Sequence, residues 1–363
     1  MSNRRKFLTT SAAALLGAGI LKSKEFLDPA LTIEYPDFND FEAPKSSTQL
    51  NEKIYPKMLK AGSTVAITAP ASPTNQYEIR HSVRMLKNLG CKVIVGDTIK
   101  NPKAHFRYFS DSEQSRATEF MSFVEDSNVD AILCGRGGYG VMRILDLLDF
   151  EKIKANPKPI IGFSDITALL NPIYQLAGVV SFHGPVASST FDSFTESMFK
   201  KVLFEGEIDK GVKVTHNTAE IINPGKAKGK LVGGNLKMIV STLRTPYEID
   251  TDDSILFLED IDEHPYKIDR MLTQLKLAGK LDNINGFLLG QFKGVNKRHP
   301  YHPNNSFTLK EVVDQILKPL GKPILLGMPF GHVKSKLTLP IGVLAEMDAD
   351  NKSLELLEKP VIS

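Results

Sequence analysis

Short apolar runs alternate with amphipathic stretches through the first half of the chain. The runs at 64–68, 92–95, 129–134 and 160–163 have the length of buried strands. Between the first two, Ile79, Val83 and Leu86 recur at helical spacing. This alternation predicts an α/β fold, with a doubly wound, mainly parallel sheet in an N-terminal domain at 61–190.

The pattern changes after Pro185. Residues 191–225 show little periodicity, and we predict an interdomain linker there. Residues 226–363 again combine strands, at 255–258, 286–290 and 323–326, with helical stretches, and a hairpin is predicted around Asp350-Asn351. We therefore expect a second, smaller α/β domain with β-hairpin elements.

Two helix starts have the sequence of a capping box. Ser110 precedes Glu113 by three residues, and Thr308 precedes Glu311 by three. Both pairs stand before apolar residues at helical spacing, so helices are predicted to begin there.

The N-terminus differs from the rest of the chain. Residues 1–24 contain five basic and no acidic residues, so the remaining chain has a net charge of −2 although the total is +3. Arg4-Arg5 followed by a short, weakly apolar run is typical of a twin-arginine export signal, and 25–60 reads as a polar linker. We expect an exported, periplasmic protein, with membrane attachment only if the signal stays uncleaved.

Composition excludes several functions. The chain has 363 residues, 42% of them hydrophobic, which suits two folded domains. The chain has no basic cluster interleaved with aromatic residues, so nucleic-acid binding is not expected. Cys91 and Cys134 border apolar runs, which favours buried thiols in neighbouring strands, although an oxidising compartment would allow them to pair. No histidine or cysteine pair has zinc-ligand spacing, so neither a metal nor a cofactor is expected.

Ser164 stands at the junction of a predicted strand and helix, in Gly162-Phe163-Ser164-Asp165-Ile166. A serine on such a turn can act as a nucleophile, and the next backbone N–H can stabilise an oxyanion. The alternative is an ordinary helix N-cap. Ile166 replaces the second glycine of the G-x-S-x-G motif, so an α/β-hydrolase elbow is not matched.

Two further reactive side chains follow apolar strands. Glu259 directly follows the run 255–258, and His332 comes shortly after the run 323–326. A serine nucleophile needs a base and a carboxylate to orient that base, which these residues could supply. His183 also follows a strand and is the rival base. His264, His299 and His302 lie in stretches expected to be exposed.

A glycine-rich segment, 135–140, follows the third strand. It fits neither common phosphate-binding motif. Its glycines would nevertheless let backbone N–H groups approach an anion, such as an oxyanion or a carboxylate.

Taken together, several ordered motifs resemble the LD-carboxypeptidase (muramoyltetrapeptide carboxypeptidase) family of serine peptidases. The resemblance runs from about Gly62 to Asp348, and the motifs that carry it are 68–72, 135–140, 162–167, 233–236, 258–260, 269–272 and 331–332. It implies two α/β domains, usually in a homodimer, with the site between them. The chain departs from the family pattern at Arg244-Thr245-Pro246, where Gly-Thr-Pro is usual. Its predicted export is a second departure, since family members are typically cytoplasmic.

The resemblance also implies roles for individual residues. Ser164 would be the nucleophile, with His332 and Glu259 as its partners, and the backbone N–H groups of Asp165 and Gly138 would form the oxyanion hole. Asn235 is assigned to substrate binding. Because an exopeptidase must recognise a free carboxylate, Arg136 and Arg270 are further candidates.

The expected reaction is removal of the terminal D-alanine from a murein tetrapeptide by cleavage of an L,D peptide bond. One alternative is a microcin C-type self-immunity peptidase acting on aminoacyl-nucleotides, against which the absence of tryptophan is a mild argument. A non-catalytic murein-peptide binding protein is the other.

Overall fold

The computed structural model describes residues 52–103, 107–204, 212–295 and 306–363. The predicted export signal, most of the 25–60 linker, and His299 and His302 lie outside the described residues. The body forms one compact unit, Thr48–Ser363. No helix within the described ranges is long and apolar enough to cross a membrane.

The described residues form fourteen strands and nine α-helices. The strands are β1 (Thr64–Thr68), β2 (Lys92–Val95), β3 (Ala131–Cys134), β4 (Ile160–Gly162), β5 (Ser181–His183), β6 (Lys213–Thr215), β7 (Glu220–Asn223), β8 (Lys226–Asn235), β9 (Ser254–Glu259), β10 (Gly286–Gly290), β11 (Ile324–Met328), β12 (Leu339–Ile341), β13 (Leu344–Asp348) and β14 (Ser353–Leu356). The helices are α1 (Arg80–Asn88), α2 (Asp97–Lys100), α3 (Glu113–Glu125), α4 (Phe150–Ala155), α5 (Thr167–Ala177), α6 (Ser193–Leu203), α7 (Leu236–Ser241), α8 (Pro265–Leu277) and α9 (Leu309–Ile316). Short 3-10 helices span Val141–Leu147, Ser164–Ile166 and Lys318–Leu320.

The first sheet has six strands in the order β12-β5-β4-β3-β1-β2. Strands β1 to β5 run parallel, and β12 pairs antiparallel with β5. Alternate residues of β3 belong to two different apolar clusters, Ile132 and Cys134 to one and Ala131 and Leu133 to the other. Because both faces are covered, this is the predicted doubly wound arrangement.

The second sheet has eight strands in the order β6-β14-β13-β8-β9-β10-β11-β7. Its centre, β8 to β11, is parallel, and the outer strands are antiparallel. The predicted hairpin is confirmed as β13 and β14. This sheet has two strands more than the first, and two of its strands, β6 and β7, come before residue 226.

Two local predictions are wrong. The stretch 191–225, predicted as a linker, contains α6, β6 and β7. The two strands have only three and four residues and pair with β14 and β11, so their stability comes from partners far along the chain. Ser112, and not Ser110, caps α3 by accepting a hydrogen bond from the Ser115 N–H, whereas the Thr308/Glu311 capping box is present.

The two cysteines are buried and free, but not in neighbouring strands. Cys91 precedes β2, and Cys134 ends β3, with β1 between these strands. The parallel register pairs Lys92 with Thr64 and Cys134 with Thr68, so the thiols lie towards opposite ends of the sheet. Strands are about 4.8 Å apart, so two strand spacings already exceed the Cα separation of a disulfide.

A continuous apolar core joins the two sheets. One cluster contains Ile160 and Ile166 beside β4 as well as Phe257 of β9 and Leu288 of β10. A second cluster, between the second sheet and α8 and α9, includes Leu258 and Leu272. Close packing across the shared core fixes the strand ends of one sheet relative to those of the other.

Candidate active site

Three side chains from the two sheets form a connected hydrogen-bond chain. The His332 Nε2 atom lies 3.1 Å from the Ser164 Oγ atom, and His332 Nδ1 lies 2.7 Å from Glu259 Oε2. Ser164 follows β4, Glu259 ends β9 and His332 follows β11. The structure therefore brings together the three residues that the sequence proposed as nucleophile, base and carboxylate.

Ser164 has an unusual backbone. Its φ of 64° is in the left-handed region that non-glycine residues seldom adopt. The residue begins the 3-10 helix Ser164–Ile166, but its side chain caps neither that helix nor α5. The N-cap alternative is therefore wrong, because the hydroxyl is turned towards His332. A strained serine between a strand and a helix is the backbone feature of a nucleophile elbow.

Gly137 supplies the space that this turn needs. A Cβ atom added at Gly137 would lie 2.8 Å from the Ser164 Cβ atom and 3.1 Å from the Phe163 carbonyl oxygen. Ile166, which replaces the second motif glycine, is instead buried in the core. In G-x-S-x-G, glycines of the same segment leave space around the serine. Here that space is left by Gly137, which belongs to a different loop from Ser164.

We expect Gly137→Ala to displace Ser164 and lower kcat by at least tenfold, with a loss of about 1–3 kcal/mol in unfolding free energy from overpacking. Steady-state kinetics and chemical denaturation measure the two effects. Gly321→Ala is the control, since a Cβ there meets no atom within 4 Å while its φ of 69° still imposes backbone strain. Normal kcat in Gly137→Ala would show that the turn tolerates the extra methyl group.

Glu259 is fully buried and well supplied with donors. Its Oε1 accepts a hydrogen bond of 3.2 Å from the Asn235 amide, and its Oε2 faces His332. Burial favours a raised pKa for Glu259, but the hydrogen bond and charge interaction with His332 outweigh it and lower the pKa. An ionised carboxylate only accepts, so the proton lies on His332 Nδ1 and leaves Nε2 to accept from the Ser164 hydroxyl.

Asn235, which was predicted to bind substrate, donates a hydrogen bond to the Glu259 carboxylate. It is 5% exposed and pairs with Glu259 in the parallel register of β8 and β9. The same Nδ2 atom is 3.2 Å from Asp260 Oδ1, and the Asn235 side-chain oxygen caps α7. Burial, with repulsion from Glu259, raises the pKa of Asp260 to about 6.

Gly331 allows the loop that carries His332 to approach Glu259. Its φ is 87°, and a Cβ atom there would lie 2.4 Å from Glu259 Oε2. Any side chain would therefore push the imidazole away from its carboxylate.

The glycine loop is held from two sides. The Ser72 N–H donates to the Gly137 carbonyl, and the Ser72 hydroxyl accepts from the Tyr139 N–H. The Asp165 side chain accepts a hydrogen bond of 2.9 Å from the Val141 N–H, so it ties the serine turn to the end of the loop. Gly138 lies between these anchors with a φ of 103°.

Arg116 is a structural residue that sequence reasoning missed. It is fully buried and donates to the carbonyl oxygens of Pro70 and Gly140, which joins the two loops next to Ser164. Its position on the inner face of α3 is the only sequence signal, and arginine there is rare enough to notice.

His183 lies behind the site and does not contact Ser164. Neither ring nitrogen has a hydrogen-bond partner among the described residues, and the ring packs edge-on against Phe163, Phe257 and Phe330. Burial lowers the pKa of His183 to about 4, so the ring is neutral at pH 7. Its rival role as the base is therefore not supported by the geometry.

We expect His183→Leu, a change of similar volume, to retain at least a third of wild-type kcat, whereas His332→Leu removes the base and should cost at least 10³-fold. Parallel kinetics on the two variants make the comparison. An equal loss of kcat in the two variants would mean that His183 is again a candidate for the catalytic base.

A pocket of about 620 Å³ opens at Ser164 and His332. Among its lining residues are Gly138, Arg136 and three lysines that sequence reasoning did not select, namely Lys293, Lys334 and Lys336. Arg270 is not among them, because it lies on the exposed face of α8 with its guanidinium 5.5 Å from the Tyr266 ring centroid. The sequence did contain a signal for two of these lysines, because Lys334 and Lys336 follow the predicted base His332 by two and four residues.

A serine, an imidazole and a buried carboxylate joined by hydrogen bonds at the strand ends of an α/β fold are the arrangement of a serine hydrolase. Residues 65–184 match the LD-carboxypeptidase N-terminal domain, and residues 228–347 match the LD-carboxypeptidase C-terminal domain. The chain belongs to the LD-carboxypeptidase family, a family of serine peptidases.

Individual proteins show the same relationship. A Bacillus subtilis (strain 168) protein described as a probable murein peptide carboxypeptidase is 38% identical over 314 residues, which make up 85% of this chain and 95% of that protein. The structure of MccF in complex with glutamyl sulfamoyl guanosine aligns with a TM-score of 0.77 at 25% identity, over 85% of this chain and 99% of that one. The muramoyltetrapeptide carboxypeptidase from Oxalobacter formigenes aligns with a TM-score of 0.72 at 28% identity, over 82% and 100%.

Proposed function

We propose that this protein is a serine carboxypeptidase that cleaves the L,D peptide bond of a murein tetrapeptide and releases the terminal D-alanine. The observation that carries the proposal is the hydrogen-bond chain from Ser164 through His332 to Glu259 at the edge of an open pocket. The relatives named as murein peptide carboxypeptidases support the choice of substrate.

In the first half of the reaction, His332 Nε2 takes the hydroxyl proton as Ser164 Oγ attacks the scissile carbonyl carbon. The oxyanion that forms would accept hydrogen bonds from the backbone N–H groups of Asp165 and Gly138. His332 then gives its proton to the nitrogen of the leaving D-alanine, and an acyl-enzyme ester on Ser164 remains.

In the second half, water attacks the ester, and His332 accepts a proton from it. Collapse of the second tetrahedral intermediate returns that proton to Ser164 and frees the tripeptide. Glu259 stays ionised throughout and stabilises the imidazolium, because its hydrogen bonds favour the charged carboxylate.

The test is incubation of the purified protein with the murein tetrapeptide and chromatographic detection of D-alanine and tripeptide. A tetrapeptide with terminal L-alanine is the matched control and should be cleaved far more slowly. Tight binding of the tetrapeptide without D-alanine release would support the non-catalytic binding protein instead.

A second candidate is hydrolysis of an aminoacyl-nucleotide, favoured by the alignment with MccF bound to glutamyl sulfamoyl guanosine. Exposed aromatic rings next to the glycine loop offer a stacking surface for a base, with the Tyr108 and Tyr139 centroids 5.4 Å apart. Release of glutamate from glutamyl sulfamoyl guanosine, with a kcat/KM above that for the tetrapeptide, would favour this candidate.

Export through the twin-arginine signal and assembly into a homodimer are proposals of the same kind. Export would place the enzyme in the periplasm, where murein lies. Fractionation of cells that express the full chain and light scattering of the purified protein test the two proposals separately.

A further inference from the structure

The pocket beside Ser164 is strongly cationic. Its lining residues include Arg136, Lys293, Lys334 and Lys336 but no aspartate or glutamate. A pocket with this charge favours a ligand that carries carboxylates or another anion. Among the four cations, Lys336 has a distinct environment.

Lys336 is 5% exposed, whereas Arg136 and Lys334 are exposed to solvent. Its Nζ atom lies 5.0 Å from the centroid of the Phe163 ring, and that ring packs edge-on against His332 with a centroid distance of 4.9 Å. The ammonium group therefore reaches the pocket wall formed by the residue directly before Ser164.

The acids near Lys336 are already supplied with other donors. Asp192 accepts hydrogen bonds from the Thr195 N–H and the Ser335 hydroxyl. Glu259 is bonded to His332 and Asn235. Burial of the ammonium group lowers the pKa of Lys336 to about 8, although Asp192 and Glu259 oppose the shift. Lys336 is therefore a largely dehydrated cation whose nearby carboxylates have other partners.

We propose that Lys336 binds the C-terminal carboxylate of the substrate and thereby restricts cleavage to the last peptide bond. The inference rests on the proposed carboxypeptidase function and assigns the residue that selects the free terminus. In an exopeptidase the terminal carboxylate lies one residue beyond the scissile carbonyl, about 3.8 Å per residue along the chain. Lys336 is placed for this contact, because its Nζ atom lies 5.0 Å from the ring centroid of Phe163, the residue directly before Ser164.

Desolvation explains why Lys336, and not Arg136, has this role. Folding has already removed most of the water around the Lys336 ammonium group, so an incoming carboxylate displaces less water from it. A hydrated surface guanidinium retains most of its interaction with solvent, and exposed ion pairs contribute little.

The pH dependence follows from the charge that binding needs. The charged groups that act on Lys336 are Asp192 and Glu259, which favour the ammonium form, and Lys293, which disfavours it. Affinity should be constant well below pH 8 and fall as the pH rises through about 8, because the free ammonium group loses its proton. Arginine stays charged in this range, so Lys336→Arg should remove the alkaline fall.

The experiment compares two substrates, the tetrapeptide with a free C-terminal carboxylate and the same peptide ending in a carboxamide. We expect the wild-type kcat/KM to be about 10- to 100-fold higher for the acid than for the amide. This factor corresponds to the loss of one hydrogen bond between charged groups when the carboxylate is replaced by a carboxamide. Lys336→Met should lower kcat/KM for the acid by that factor, mainly through KM, and change the value for the amide by less than threefold.

Lys334→Met is the matched control, because it removes an equal charge from the same loop at an exposed position. It should lower both rates to a similar extent and leave the acid-to-amide ratio at the wild-type value. Circular dichroism and the amide rate together report whether Lys336→Met is folded and has an intact nucleophile.

An unchanged acid-to-amide ratio in Lys336→Met would overturn the inference, whether both rates are retained or both fall equally. A wild-type enzyme that cleaves both peptides equally well would also overturn it, while leaving the carboxypeptidase chemistry in place. Failure of the wild-type protein to cleave the acid at all would be a failure of the proposed function itself.

Discussion

Replacement of Ser164 by alanine is expected to reduce kcat for D-alanine release by roughly 10⁴-fold or more, with little change in substrate affinity. The variant keeps the pocket, the lysines and the His332–Glu259 hydrogen bond but lacks the atom that forms the acyl-enzyme. Loss of one hydroxyl group that points into the pocket removes little packing, so the fold should be unaffected. Kinetics and calorimetric titration of the tetrapeptide separate turnover from binding.

A serine close to the pocket but outside the hydrogen-bond chain provides the control. Ser188 lines the same pocket and should tolerate alanine with less than a tenfold change in kcat. Full turnover by Ser164→Ala would remove the assigned nucleophile, whatever the other variants show.

Replacement of Glu259 by glutamine is expected to lower kcat by about 10³- to 10⁴-fold. Glutamine has nearly the same shape but no charge, so it cannot stabilise the imidazolium that forms when His332 takes the serine proton. Because Glu259 is fully buried, no solvent replaces the lost charge. The measurement is kcat across the pH range, with KM as the check that substrate binding is intact.

Asp260→Asn is the matched control, since this neighbouring carboxylate is also buried but accepts hydrogen bonds from Asn235 and the Lys237 N–H. It should reduce kcat by less than tenfold. A similar kcat for Glu259→Gln and wild type would mean that His332 needs no carboxylate, and the assigned chain of three residues would have to be revised.

The positions of Ser164, Glu259 and His332 along the chain could be predicted because local patterns carry the information. Each follows an apolar run of strand length, and reactive side chains in parallel α/β sheets collect at strand ends. The strands 255–258 and 286–290 were likewise visible, since hydrophobic periodicity depends only on neighbours a few residues away.

Roles that depend on distant partners were harder to predict. Asn235 and Arg270 were both assigned to substrate, but the register of β8 with β9 turns the first towards Glu259, and α8 holds the second over Tyr266. Lys336 attracted no attention in the sequence because a lysine is ordinarily exposed. Only the packing around Phe163 makes it a buried cation at the site.

The fold class, the strand ends and the residue types available for acyl transfer could be predicted from the chain's residues, because these follow from short-range periodicity and side-chain chemistry. The tertiary structure alone decided that His332 rather than His183 reaches Ser164, and that Gly137 gives the serine turn its space. It also decided which of the pocket's cations is dehydrated. These outcomes depend on the apolar core that the two sheets share. That core brings together residues separated by up to 168 positions, and no local sequence pattern encodes its packing.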